Sequence, residues 1–424
     1  MQFARSLLFT TYMMLSACLW GGPATVSDPA YNFAFPDSAA TYWFTRFQLP
    51  AGAQLLLHGR FAHARYQSLN AYNAANATPV DALNDVQTVP DRGSTNPFLP
   101  GALRTATQRS YTVTVTATAP PAQRAPNTLY AGVPGQDSQV LFYRVYVPDR
   151  GQDVTGGVGL PRLEVRLADH QVLRGQAACD AIGVSTAKPV IQTLSPATYA
   201  ALRDQPGQPP TFPAADPPVF RAFYSTSFLV ACGYLGQCGG DPARAGGQYS
   251  NIDNAYLTAF ANRGFGPVLV LRGKLPTTPR TYNGELFMGT GQMRYWSICQ
   301  NESLATTKAT SCLYDEQIPV NRDGYYTIVT SLPADRPANA TTRCGVGYLP
   351  WPADGDGAGH PDDALLIVRN MLPSPWFHQA VQDTTTPGDE AAVMGPYLPK
   401  GQYMTTAQFD WSTRVASAKF SNCN

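Results

Sequence analysis

Two of the chain's five histidines, His58 and His63, fall within the stretch HGRFAHARYQS beside two arginines and a tyrosine. Neutral imidazole is a preferred copper and zinc ligand, so this pair with a third donor from His170, His360 or His378 would make a metal site. A periplasmic copper redox enzyme, such as one resembling superoxide dismutase, would need about four such ligands. No His-x-His or His-Glu-x-x-His spacing occurs, which makes ordinary hydrogen-bonding histidines the default reading. A second candidate is the acidic, Gly-rich DGDGAGHPDD, where Asp354, Asp356, Asp362 and Asp363 offer hard oxygen ligands for calcium. Leu365 stands where an EF-hand loop carries its glutamate, so a solvated acidic loop is the expected outcome. Gly-x-Ser-x-Gly, Ser-x-x-Lys and Walker patterns are missing, leaving acyl transfer and nucleotide chemistry without support. Trp43, Trp296, Trp351 and Trp376 could stack on a glycan, although core or turn packing is the commoner use.

These residues sit on a chain that repeats itself. TYWFTRFQLPAGAQLLLHGRF (41–61) matches AYLTAFANRGFGPVLVLRGKL (255–275) without a gap, aligning Tyr42 with Tyr256 and Gly59 with Gly273. ARYQS then answers MRYWS, LNDVQ answers LYDEQ, and SYTVTV answers YYTIVT. VLFYRVYVPD and LLIVRNMLPS close the copies. Thr112 to Val115 and Leu141 to Tyr146 alternate and are rich in β-branched and aromatic residues. Short strands separated by Pro and Gly predict a mostly β protein: two tandem antiparallel sandwich or jelly-roll-like units with few short helices. The expected divisions are a signal peptide with lipobox (1–18), unit 1 (37–149), a mixed linker (150–250), unit 2 (251–374) and a tail (375–424). Ser195 before Pro196 predicts a helix start, and 374–382 predicts another short helix.

The repeat carries a polar set in both copies: Arg65 with Arg294, Asp85 with Asp315, Arg144 with Arg369. Arginine forks could clamp an anion or a sugar. The favoured reading is an Arg–Asp network pinning strand register, because buried charges must be paired. His58 and His63 align with Arg272 and Gln292 and so stand outside this framework.

The motif order resembles that of bacterial exported proteins of unknown function built from two jelly-roll-like β domains. NIDNAY (Asn251, Asp253, Tyr256), RYWS (294–297), NRDG and RVYVP (144–148) carry the resemblance, while SAATY in copy one and RNMLP in copy two depart from it. It implies a fold and no activity.

Charged residues are only 14% and the net charge is +1, with no basic run to follow a phosphate backbone, so nucleic acid is not an expected partner. The apolar run from Ser6 to Ala17 is too short to span a bilayer and suits a signal peptide. LSAC resembles a lipobox, which predicts acylation of Cys18 and a membrane attachment through that anchor alone. In an oxidising compartment Cys232/Cys238 and Cys299/Cys312 are the expected local disulfides, and a lipidated Cys18 would leave one thiol over. The functional expectation is an exported, lipid-anchored envelope protein that binds a surface polymer or partner protein. The alternative is an envelope metalloenzyme with copper or zinc at His58 and His63.

Overall fold

The computed structural model describes residues 18–416 and Cys423, so the expected signal peptide, apart from Cys18, lies outside the described residues. The first half forms β1 (Gly21–Ala24), β2 (Ala40–Phe47), β3 (Gln54–Arg60), β4 (Ala64–Asn73), β5 (Pro79–Asn84), β6 (Ser110–Thr116), β7 (Thr128–Tyr130), β8 (Gln139–Pro148), β9 (Arg162–Arg166) and β10 (Val172–Arg174). The second half forms β11 (Arg221–Ala222), β12 (Asn254–Asn262), β13 (Val268–Lys274), β14 (Met293–Asn301), β15 (Ala309–Tyr314), β16 (Tyr325–Ser331), β17 (Gly347–Pro350), β18 (Asp363–Pro373) and β19 (Lys400–Met404).

Each half makes two sheets. The first half orders them β1-β2-β8-β4-β5 and β10-β9-β3-β6-β7; the second orders them β11-β12-β18-β14-β15 and β17-β16-β13-β19. Adding ten to each first-half label reproduces the second half, except that β10 has no counterpart. Even the parallel pair β6–β7 recurs as β16–β17. Register repeats as well: Tyr42 and Ser68 flank Arg144, and Tyr256 and Ser297 flank Arg369. The repeated glycine has a packing cause. Gly59 lies opposite Tyr111 and Gly273 opposite Tyr326, and an added Cβ would sit 2.3 Å from one ring and 2.6 Å from the other hydroxyl.

Strand β6 alternates half-buried and buried residues, as Thr112 to Val115 predict. In contrast β4, β8 and β18 are buried along almost their whole length, including Leu141 to Tyr146. The reason is stacking. The inner face of each first sheet packs on its own second sheet, while its outer face packs on the other half of the molecule. That middle core joins Tyr66, Tyr72, Phe142 and Tyr146 to Tyr249, Tyr295, Tyr314 and Met371. Tyr146 and Tyr295 meet at 5.3 Å between ring centroids, inclined by 76°.

The segments between and after the repeats are working parts of the sheets. β9 and β10 extend the second sheet of unit 1, β11 adds to the first sheet of unit 2, and β19 pairs with β13. Helix α1 (Gly175–Ala181) packs beside β9 and β10. Helix α2 (Pro196–Arg203) starts where Ser195-Pro196 predicts, with the Ser195 side chain accepting the Thr198 N–H. Helix α3 (Thr226–Leu235) is capped by Ser225 and ends at Gly236 in the left-handed region. The helix expected at 374–382 is reduced to a short 3₁₀ turn at Val381–Asp383.

All eight cysteines pair, as Cys18–Cys179, Cys232–Cys238, Cys299–Cys312 and Cys344–Cys423. The two local pairs follow the sequence expectation. Four disulfides point to an oxidising, extracytoplasmic environment. No described helix is long and apolar enough to cross a membrane. Cys18, expected to be acylated, is here bonded to Cys179. Leu19 and Trp20, which follow it, are buried, and the Trp20 indole donates to the Pro161 carbonyl at 2.9 Å.

Candidate functional site

The repeated polar residues separate into two constellations. In the first, Arg65 of β4 is buried and its partners belong to the other unit. Nη1 donates to both Asp315 oxygens at 3.0 and 3.1 Å, Nη2 to Glu316, and Nε to Thr281 at 2.8 Å. Arg294 of β14 reaches back to Asp85 at 3.3 Å and to the Arg65 carbonyl at 3.2 Å. Each aspartate also accepts a backbone N–H at an equivalent point, from Gln67 at 2.9 Å and Trp296 at 3.0 Å. Burial pushes the Asp85 carboxyl up to about 7, against the downward pull of Arg294. The ion pairs of this network cross between the units instead of pinning strands within one sheet.

The second constellation surrounds Arg144 and Arg369, on β8 and β18. Asp37 stands five residues before Tyr42 and Asn251 five before Tyr256. Each donates its backbone N–H to that tyrosine's hydroxyl, at 3.0 and 3.3 Å. Asp37 then crosses to unit 2, accepting from Tyr295 at 2.8 Å and Ser297 at 2.6 Å and lying 3.5 Å from Arg369. Asn251 crosses to unit 1, where Tyr66 donates to it at 3.1 Å. Arg369 donates to the Phe35 carbonyl and Cys299 Sγ, and Arg144 to the Tyr72 hydroxyl and Tyr249 carbonyl. The two halves therefore match in geometry and differ in charge. Arg369 has Asp37; in the other half the equivalent position holds the neutral Asn251, and Arg144 has no carboxylate at ion-pair distance among the described residues. Its Nε is buried without a partner. The rings of Tyr42, Tyr72 and Phe142 lie 5.3, 5.6 and 5.4 Å from its guanidinium carbon.

Both arginines open onto a cavity of about 760 Å³ between the units. Tyr42, Phe142 and Tyr146 of unit 1 and Thr258, Leu365 and Ile367 of unit 2 form its floor, all buried. Phe33, Phe223, Leu229 and Val230 line its sides, and the exposed Gln192, Ser227 and Leu235 mark its mouth. Four of these come from α3, which is apolar on nearly every side yet only half-buried. Arg144 and Arg369 are the only charged residues on the cavity wall among the described residues.

The candidates named from sequence fare differently. His58 Nδ1 lies 3.2 Å from the Thr112 hydroxyl and Nε2 lies 3.7 Å from Glu164. His63 is pushed down to about 4 by burial and by Arg109, Arg104 and Arg60. Neither histidine joins a group of three potential ligands among the described residues, and three arginines around His63 repel a cation. The acidic loop is not solvated as expected, since Asp356 and Asp363 are buried and gather with His360. Asp356 accepts the Ala358 and His360 N–H groups at 2.7 and 3.0 Å and holds His360 Nδ1 at 2.6 Å. Asp204 takes His360 Nε2 at 2.8 Å. Asp363 is bound by Arg203 and Asn262, Asp362 by Arg263 at 2.6 Å, and Asp354 stays outside the group. These carboxylates close their own loop and neutralise protein cations, which leaves little for calcium. Trp43, Trp296 and Trp351 are core residues, and only Trp376 of that set is exposed.

Sequence reasoning missed the charge difference between the copies. Its signal was present in the equal spacing of Asp37 and Asn251 from their tyrosines, which the SAATY departure obscured. No family model and no curated protein matches the chain. Solved structures similar to it include two of comparable size. An uncharacterized protein from Burkholderia cenocepacia has a TM-score of 0.48 and 14% identity, covering 93% of this chain and 84% of its own. The VPA0106 protein from Vibrio parahaemolyticus has a TM-score of 0.39 and 12% identity, covering 88% of this chain and 90% of its own.

Proposed function

We propose that the chain is an extracytoplasmic binding protein that houses a small apolar molecule in the cavity between its two units. The cavity itself carries this reading: about 760 Å³ of largely apolar space, roofed by α3 and within the ~300–1,000 Å³ range typical of small-molecule sites. No carboxylate, imidazole or lysine lines it among the described residues. The serine and threonine hydroxyls at its rim thus have no general base beside them, which favours binding over catalysis. An envelope location agrees with the four disulfides. The Cys18–Cys179 bond and acylation of Cys18 are alternatives for one sulfur, and burial of Leu19 and Trp20 favours the bond.

The test is fluorescence titration with N-phenyl-1-naphthylamine, a neutral apolar dye. The expected result is saturable binding of about one dye per chain, lost in Ile367→Trp, which fills the cavity floor, while the variant keeps its far-ultraviolet circular dichroism. Absence of saturable binding, or binding undiminished in a folded Ile367→Trp, would contradict the reading.

A further inference from the structure

We infer that the molecule held in this cavity is an anionic amphiphile whose single carboxylate meets Arg144. The inference rests on the binding reading above and adds the polar end of the ligand. The repeat supplies the internal control. Arg369 and Arg144 occupy equivalent strands, equivalent registers and the same cavity, but Arg369 is neutralised by Asp37 while Asn251 leaves Arg144 without an ion-pair partner. A buried charge without a partner is costly, and that cost is removed when a ligand brings the missing anion.

The charge count fixes the sign. Two arginines and no acid line the wall, and one of the two already has its aspartate, so one positive charge remains to be met. Asp253 is the other acid that feels Arg144; it lies beyond ion-pair distance, accepting from Tyr66 at 2.6 Å and Asn84 at 3.1 Å. The free donor capacity decides the class. Nη2 is occupied by Tyr72 and Tyr249, leaving Nε unpartnered and Nη1 without a hydrogen bond among the described residues. A planar monocarboxylate asks for one positive charge and few donors, whereas a phosphate dianion asks for more of both. Beyond the guanidinium, Leu365, Ile367, Leu229 and Val230 offer surface only to an apolar body.

Displacement of bound N-phenyl-1-naphthylamine by dodecanoate, dodecanol and dodecyl phosphate tests this. Wild-type protein should release dye at a dodecanoate concentration at least about tenfold below that needed with dodecanol, with dodecyl phosphate weaker than dodecanoate. Arg144→Gln should abolish the preference. Asn251→Asp places a carboxylate at the position equivalent to Asp37 and, in a variant that keeps its far-ultraviolet circular dichroism, should abolish it too. Dye binding with equal displacement by acid and alcohol overturns the carboxylate while leaving the cavity reading intact. Stronger displacement by the phosphate overturns the ligand class. A preference that survives in Asn251→Asp removes Arg144 from the role. Failure of the dye to bind wild-type protein contradicts the cavity reading itself.

Discussion

A guanidinium buried on an apolar wall is destabilising by several kcal/mol unless its charge is met, and Arg65, Arg369 and Arg144 show three degrees of being met. Arg65 has two carboxylates, Arg369 has one, and Arg144 has rings, a hydroxyl and a carbonyl. Position in a repeat therefore did not determine role. The sequence showed that these residues recur, but the carboxylates that meet Arg65, Arg294 and Arg369 lie more than two hundred residues away and cannot be seen in spacing. His63 offers an independent test of the local electrostatics. Its imidazole titrates at about 4 in the folded protein, below the ordinary value of 6.5, through burial and its three arginine neighbours. The stability tied to the neutral ring is complete above about 6.5 and is lost as pH falls towards 4. His63→Gln should therefore reduce the decline of the urea midpoint between pH 7 and pH 4.5. An unchanged decline would show that burial and the three arginines do not depress this ring.

At the scale of the element, the glycine shared by β3 and β13 exists to let a tyrosine ring lie across the strand. Gly59→Ala and Gly273→Ala should each cost about 1–3 kcal/mol by overpacking, measured as a lower urea midpoint at constant slope. A neutral result at both sites would mean that the rings of Tyr111 and Tyr326 yield easily. Strand β6 was legible because it is wet on one face, and its alternation survives in the sequence. Strands β8 and β18 were recognisable as strands by their β-branched and aromatic content. Their double burial was not legible, since nothing local says that another unit covers the outer face. Strands β9 and β19 were read as linker and tail because the repeat ends before them, although they complete the second sheets.

Across the whole molecule, duplication explains the architecture and the site together. Two sandwich-like units stack first sheet to first sheet, and the crossed pairs Arg65–Asp315 and Arg294–Asp85 tie them. Removing one partner of a buried pair costs about 3–5 kcal/mol, and here the loss falls on the contact between units. Wild-type protein should unfold in one calorimetric transition, and Arg65→Ala should lower it or split it in two. Two separate transitions in the wild type would show that the units fold independently. The duplicated β architecture was legible because both copies keep their motifs in order; the cavity was not, because each copy supplies only part of its wall. The most direct measurement of the central claim is a crystal structure of the protein with 12-bromododecanoate. The anomalous bromine signal is expected within the cavity, near Leu365, Ile367 and α3, with the carboxylate against Arg144. Bromine found only outside the cavity, with the space between the units left to solvent, would contradict the account.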